Sequence, residues 1–208
     1  EPAIGLPPGQ PPLLGVHAGV GVAALPSSGA PAAAVAAQYE SLPFPPRRPA
    51  DERGRPPLHS SLASLVEISH FVFGGRFRRR FCGADKPRFR ALVLGGGTGD
   101  ATVQLAAELA GLHAREPRCM YHRSEVVQLD LSSAATRIAH GRLQWRGLRV
   151  HTGQQAPEPA PAAAEPPPGP TVRLVVGSIL SLPALRLGAF DFVNLCGVLH
   201  HTPSAADT

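Results

Sequence analysis

The apolar positions of this chain change rhythm near residue 90. Over residues 1–38 they follow no sustained period, and "GLPPGQPPLLG" and "APAAAVAAQ" mix proline, alanine, glycine and small aliphatics. Such a stretch buries too little to offset the entropy of ordering it, so a disordered tail is expected, with one short helical turn near 32–38. Residues 39–57, "YESLPFPPRRPADERGRPP", are too proline-rich for a helix or a central strand and are expected to wrap a surface. In residues 61–73, "SLASLVEISHFVF", Leu62, Leu65, Val66, Ile68 and Phe71 recur at spacings of three and four, which predicts a helix stopped by Gly74 and Gly75.

From residue 90 onward, short apolar runs alternate with longer amphipathic ones. "RALVL" (90–94), "EVVQLDL" (125–131), "TVRLVVG" (171–177) and "FDFVNLCGV" (190–198) read as strands. "ATVQLAAELAGLHA" (101–114) and "SAATRIAHGRLQW" (133–145) read as helices. Apolar strands separated by helices predict an α/β fold, a Rossmann-like three-layer sandwich with a mostly parallel sheet and right-handed crossovers. Four strands are legible, and the last would stand as an exposed apolar edge, so the sandwich is expected to be incomplete after the fourth strand. The organisation is then a tail (1–38), a lead-in with one helix (39–89) and the sheet domain (90–208). A second Pro/Ala-rich stretch, "QQAPEPAPAAAEPPPGP" (154–170), is expected as a surface loop.

Composition changes this picture little. The formal charge is +5 without a long Lys/Arg block, so a nucleic-acid partner is neither demanded nor excluded. Three cysteines, Cys82, Cys119 and Cys196, are odd in number and far apart, which predicts no disulfide framework and a reducing compartment, the cytoplasm or else an organelle. No apolar run approaches the roughly 20 residues of a membrane span. Residues 1–46 contain no Lys or Arg, unlike a transit peptide.

The candidate chemistry begins at "ALVLGGGTGD" (91–100), where an apolar strand stops at four glycines in five residues. Glycine allows positive φ and close approach to the backbone, and the helix that follows presents unpaired N–H groups to something polar or anionic. The G-x-G-x-x-G dinucleotide fingerprint fails because Asp100 stands at its last glycine, which disfavours an NAD-type oxidoreductase. No Gly-Lys-Ser/Thr follows, which excludes a Walker loop. What fits is G-x-G-x-G at Gly95, Gly97 and Gly99.

Taken in order, strand-"GGGTG"-helix, "VVQLDLS", "VVGSILSLP" and "FDFVNLCGVLHH" resemble the class I S-adenosylmethionine-dependent methyltransferases over roughly residues 90–203. "QYESLPFPPR" and "EISHFVFGG" resemble the N-terminal lead-in of a bacterial-type subgroup. The resemblance implies S-adenosyl-L-methionine as cofactor. Gly95, Gly97 and Gly99 would line its methionine portion and Asp130 would accept from the ribose hydroxyls. Leu131, Ser178 and Ile179 would flank the adenine, and Cys196 would lie near the methionine end. Many members carry an acidic residue where this chain has Val93, and Asp100 offers a carboxylate nearby instead. His200 and His201 are candidate bases, weighed against a plain role in capping or packing the next helix. The acceptor is expected to be a small molecule, with nucleic acid and protein left open. An inactive cofactor-binding or interaction module is the alternative, because the C-terminal half of such a fold is not in evidence.

Two further features suggest partners. "FVFGGRFRRRF" (71–81) interleaves aromatics with Arg76, Arg78, Arg79 and Arg80, which suits RNA contact, but a solvated loop is the plainer expectation. Cys119-x-x-His122 lacks a second half at zinc spacing, so no metal site is expected.

Overall fold

The computed structural model describes residues 30–53, 63–153, 169–199 and 202. Helix α1 (Ala30–Ser41) leads into a strap that ends in a 3-10 turn, Pro49–Glu52. A single α-turn, α2 (Leu65–Glu67), runs on as a π-turn, Ile68–Val72, and is followed by α3 (Phe77–Phe81). Then come β1 (Arg90–Leu94), α4 (Asp100–Arg115), β2 (Glu125–Asp130), α5 (Ser133–Trp145), β3 (Arg149–Thr152) and β4 (Thr171–Val176). A 3-10 stretch, Ile179–Leu185, precedes β5 (Phe192–Leu195).

The sheet has five strands in the order β3-β4-β2-β1-β5, and every pairing is parallel. The chain therefore steps from β1 past β2 to the edge strand β3, comes back to insert β4 between β2 and β3, and crosses to the other side of β1 for β5. That reversal puts β1 between β2 and β5 and opens a crevice at their carboxyl ends. On one face, α4, α5 and the lead-in helices bury Val103, Leu105, Leu109, Leu143, Ile68 and Phe77 against β1, β2 and β4. On the other, Leu182, Leu185 and Leu187 pack on Leu92, Leu94, Val127, Leu129 and Val175. Helix α5 starts where expected because the Ser132 hydroxyl accepts from the Ala135 N–H at 3.0 Å.

The α/β Rossmann-like sandwich is as expected, and several details are corrected. A fifth strand, β3, lies at the edge; it is only four residues long, exposed at both ends and half-buried in the middle, too little to show an apolar signature. The lead-in helix does not present one apolar face. Leu65 and Ile68 are buried, whereas Val66, one position round the turn from Leu65, and Phe71, inside the π-turn, are mostly exposed. Leu62 lies outside the described residues, as do 1–29 and 154–168, on which expected disorder falls; residues 30–38 of the expected tail belong instead to the twelve-residue helix α1, longer than the single turn expected there. Residues 71–81 are not a solvated loop. Phe77 and Phe81 pack edge-on with Phe73 and Phe89, so these rings are core and not free to stack on bases. Cys82 and Cys119 form a disulfide across 37 residues, against the expectation of none. Sequence spacing carries no information about thiols that only the fold brings together. No helix among the described residues is long and apolar enough to cross a membrane.

Candidate functional site

A cavity of about 330 Å³ lies at the carboxyl ends of β1, β2, β4 and β5. Its floor is the glycine loop after β1, and its roof is α1 and the strap, through Val35, Tyr39, Phe44 and Pro45.

The strap is bound to the loop by backbone and charge. The Phe44 carbonyl accepts from the Thr98 N–H at 3.2 Å, and the Pro45 carbonyl accepts from the Thr98 hydroxyl at 2.7 Å. Gly97 has φ +53, and a Cβ there would stand 2.2 Å from the Phe44 oxygen. The bareness of the loop at Gly97 is thus required by the chain's own strap. Beneath the loop, the buried Gln128 side chain donates to the Gly97 carbonyl at 2.9 Å and accepts from the Thr102 hydroxyl at 2.6 Å.

Beside the loop runs a chain of ion pairs. Arg47 donates to both oxygens of Asp100, at 3.0 and 2.7 Å. Arg142, wholly buried, donates to Asp100 at 2.7 Å, to the Thr98 carbonyl at 2.8 Å and to Glu52 at 2.6 Å. Arg146 completes the set on the second oxygen of Glu52 at 2.6 Å. At the other end of the strap, Glu40 accepts from the Ser133 hydroxyl at 2.6 Å and the Ala134 N–H at 3.1 Å, which ties α1 to the start of α5.

These contacts set the charges. Burial works against ionised Asp100, but hydrogen bonds from Arg47 and Arg142 and their positive charge outweigh it and hold the carboxyl below its usual range. A depressed folded value means that the group stabilises the fold above the ordinary carboxylate pKa and loses that contribution as pH falls through the folded value. Acidification below about pH 4 is therefore expected to loosen the strap, and Asp100→Asn to remove that part of the stability–pH slope in denaturant titrations. An unchanged slope would count against the Asp100 ties. Asp130 is shifted the other way. Burial pushes its carboxyl up and nearby Glu40 adds to this, against hydrogen bonds from Ser132 and Gly97.

The Asp130 carboxylate ends β2 at the cavity wall. One oxygen accepts from the Gly97 N–H at 2.7 Å and the other from the Ser132 N–H at 2.8 Å. Each oxygen keeps a lone pair for a further donor. Leu131, Ser178 and Ile179 line the neighbouring wall, and Gly95 and Cys196 line the side toward β5.

No protein-family model matches this chain, and no curated protein matches it significantly.

The fold thus gathers Gly95, Gly97, Asp130, Leu131, Ser178, Ile179 and Cys196 around one cavity. Gly99 is not on its wall. It has φ +97 and begins α4, facing α5, where a Cβ would come within 2.8 Å of the Ala139 methyl. Asp100 reaches the cavity, but its oxygens are engaged by two arginines, so it does not offer the open carboxylate expected of it. His200 and His201 lie outside the described residues. Cys82, Cys119 and Glu116 bring ligand atoms within 4.8 Å of one another, but the two sulfurs are bonded to each other. The residues that sequence reasoning missed are Arg47, Glu52, Gln128, Arg142 and Asn194. Two had a signal. Arg142 falls on the buried stripe of α5 with Ala135, Ala139 and Leu143, and Gln128 interrupts the apolar run of β2.

Proposed function

We propose that the cavity binds S-adenosyl-L-methionine and that the chain transfers its methyl group to a small-molecule acceptor. The observation that carries this reading is the Asp130 carboxylate, held by two backbone N–H groups at the end of β2, beside the glycine loop and the Leu131–Ile179 wall. An acceptor-only group with two free lone-pair directions suits a pair of vicinal hydroxyls. The apolar wall beside it suits a flat base, and the volume falls within the roughly 300–1,000 Å³ of small-molecule sites. The cofactor supplies an electrophilic methyl group on a sulfonium. What this chain's residues do is position: Asp130 orients the ribose, the strap excludes water, and the part of the cavity that the cofactor does not fill is left for the acceptor.

Calorimetric titration with S-adenosylhomocysteine, with NAD as comparator, tests the reading. The expected result is binding of the first alone, weakened about 10- to 100-fold by Asp130→Asn, the loss of one or two charge-assisted hydrogen bonds. Because burial raises the Asp130 pKa, affinity is also expected to fall on acidification before the ordinary carboxylate range is reached. No heat from a folded chain, or equal affinity in Asp130→Asn, would overturn it.

A further inference from the structure

Asn194 lies on β5, directly across the strand pair from Val93 of β1. It is 7% exposed and lines the cavity. A carboxamide carries two N–H donors and an oxygen with two lone pairs, and buried ones are ordinarily paired. Among the described residues, nothing hydrogen-bonds to this one. The other buried or half-buried polar groups on the wall are engaged: Asp130 by Gly97 and Ser132, Asp100 by Arg47 and Arg142, and the Ser178 hydroxyl by the Leu180 N–H. The unpartnered amide stands out because the cavity beside it is where a ligand's polar end would lie.

We infer that Asn194 recognises the amino-acid end of the ligand, its side-chain oxygen accepting from the ligand's ammonium group. This rests on the cofactor reading above and assigns a contact that reading leaves open. The resemblance led to an acidic residue at position 93, and the residue there is an apolar valine. The register of β1 against β5 places the nearest alternative acceptor one strand over, at the same level. The local polarity favours this division of labour. No Lys, Arg or His lines the cavity among the described residues, and Asp100 is neutralised by two arginines. An uncharged acceptor at the carboxyl end of two parallel strands then takes the ammonium.

The test compares two ligands that share the nucleoside and the thioether sulfur. S-adenosylhomocysteine carries the amino-acid end, and 5′-deoxy-5′-methylthioadenosine lacks it. Asn194→Leu is expected to weaken the first about 30-fold, as for a lost hydrogen bond to a charged group, and to leave the second within about twofold. Asn194→Asp is expected to keep or strengthen S-adenosylhomocysteine binding, since a carboxylate is the better acceptor for an ammonium. Equal weakening of both ligands in Asn194→Leu would mean that the residue only shapes the wall, and the inference fails. Unchanged binding of S-adenosylhomocysteine in that variant would overturn it as well, with the cofactor reading intact. A folded wild-type chain that binds neither ligand would overturn the cofactor reading and this inference with it.

Discussion

Glu52→Ala lowers the stability of the chain by about 3–5 kcal/mol, the cost of removing one partner from a buried ion pair. Arg142 has no exposed surface and Arg146 is largely buried, and both close on Glu52 at 2.6 Å. Without that carboxylate, the buried Arg142 guanidinium keeps only Asp100 and the Thr98 carbonyl of the partners it has in the wild type, and Arg146 loses its Glu52 oxygen. The loss is read from urea unfolding monitored by circular dichroism. A cycle with Arg142→Met separates the pair from the burial. Because the Arg142 charge is then absent, adding Glu52→Ala to that variant is expected to cost much less than it does in the wild type. A fully additive pair, or a Glu52→Ala loss below about 1 kcal/mol, would show that the strap is held by its backbone contacts instead.

Gly97→Ala has the second large effect. Its φ of +53 disfavours any side chain, by roughly 1–2 kcal/mol. The new methyl would also meet the Phe44 carbonyl at 2.2 Å, a backbone atom that moves only if the whole strap moves. Gly147→Ala provides the control, because Gly147 has a similar φ of +68 and nothing within 4 Å of the new Cβ. The difference between the two variants isolates the clash, expected at about 1–3 kcal/mol. The Gly97 N–H also holds Asp130 at 2.7 Å, so the displaced loop is expected to lose ligand affinity as well, which Gly147→Ala leaves intact. Equal unfolding free energies for the two variants would mean that the strap yields at no cost.

Helix N-termini were well legible. The run "SAATRIAHGRLQW" has a serine cap before it and an apolar period within it, and α5 spans those thirteen residues. Strand β3 was not, since four residues with no apolar alternation carry no burial signal. The aromatics of residues 71–81 misled for a related reason. Their interleaving with arginine looks like a surface for nucleic acid, and only the packing of α3 against Phe89 and Tyr121 shows that Phe77 and Phe81 face inward while the arginines, and Phe71, stay exposed.

For the site, the glycines, Asp130 and the Ser178–Ile179 wall followed from local patterns, because a strand that ends in a turn before a helix places its last residues at the sheet's carboxyl edge. The sequence alone thus determined the α/β class, the ends of its main helices and the edge at which the cavity forms. These depend on periodicity and caps, which act over a few residues. The tertiary structure alone decided what the strap does, which carboxylates are engaged and which amide is left open. The ties Arg142–Glu52 and Arg47–Asp100 span 90 and 53 residues, and the contact between Asn194 and the cavity depends on strand register. Nothing local marks such pairs, because the energy of a buried polar contact depends on the partner that the fold delivers, not on its neighbours in the chain.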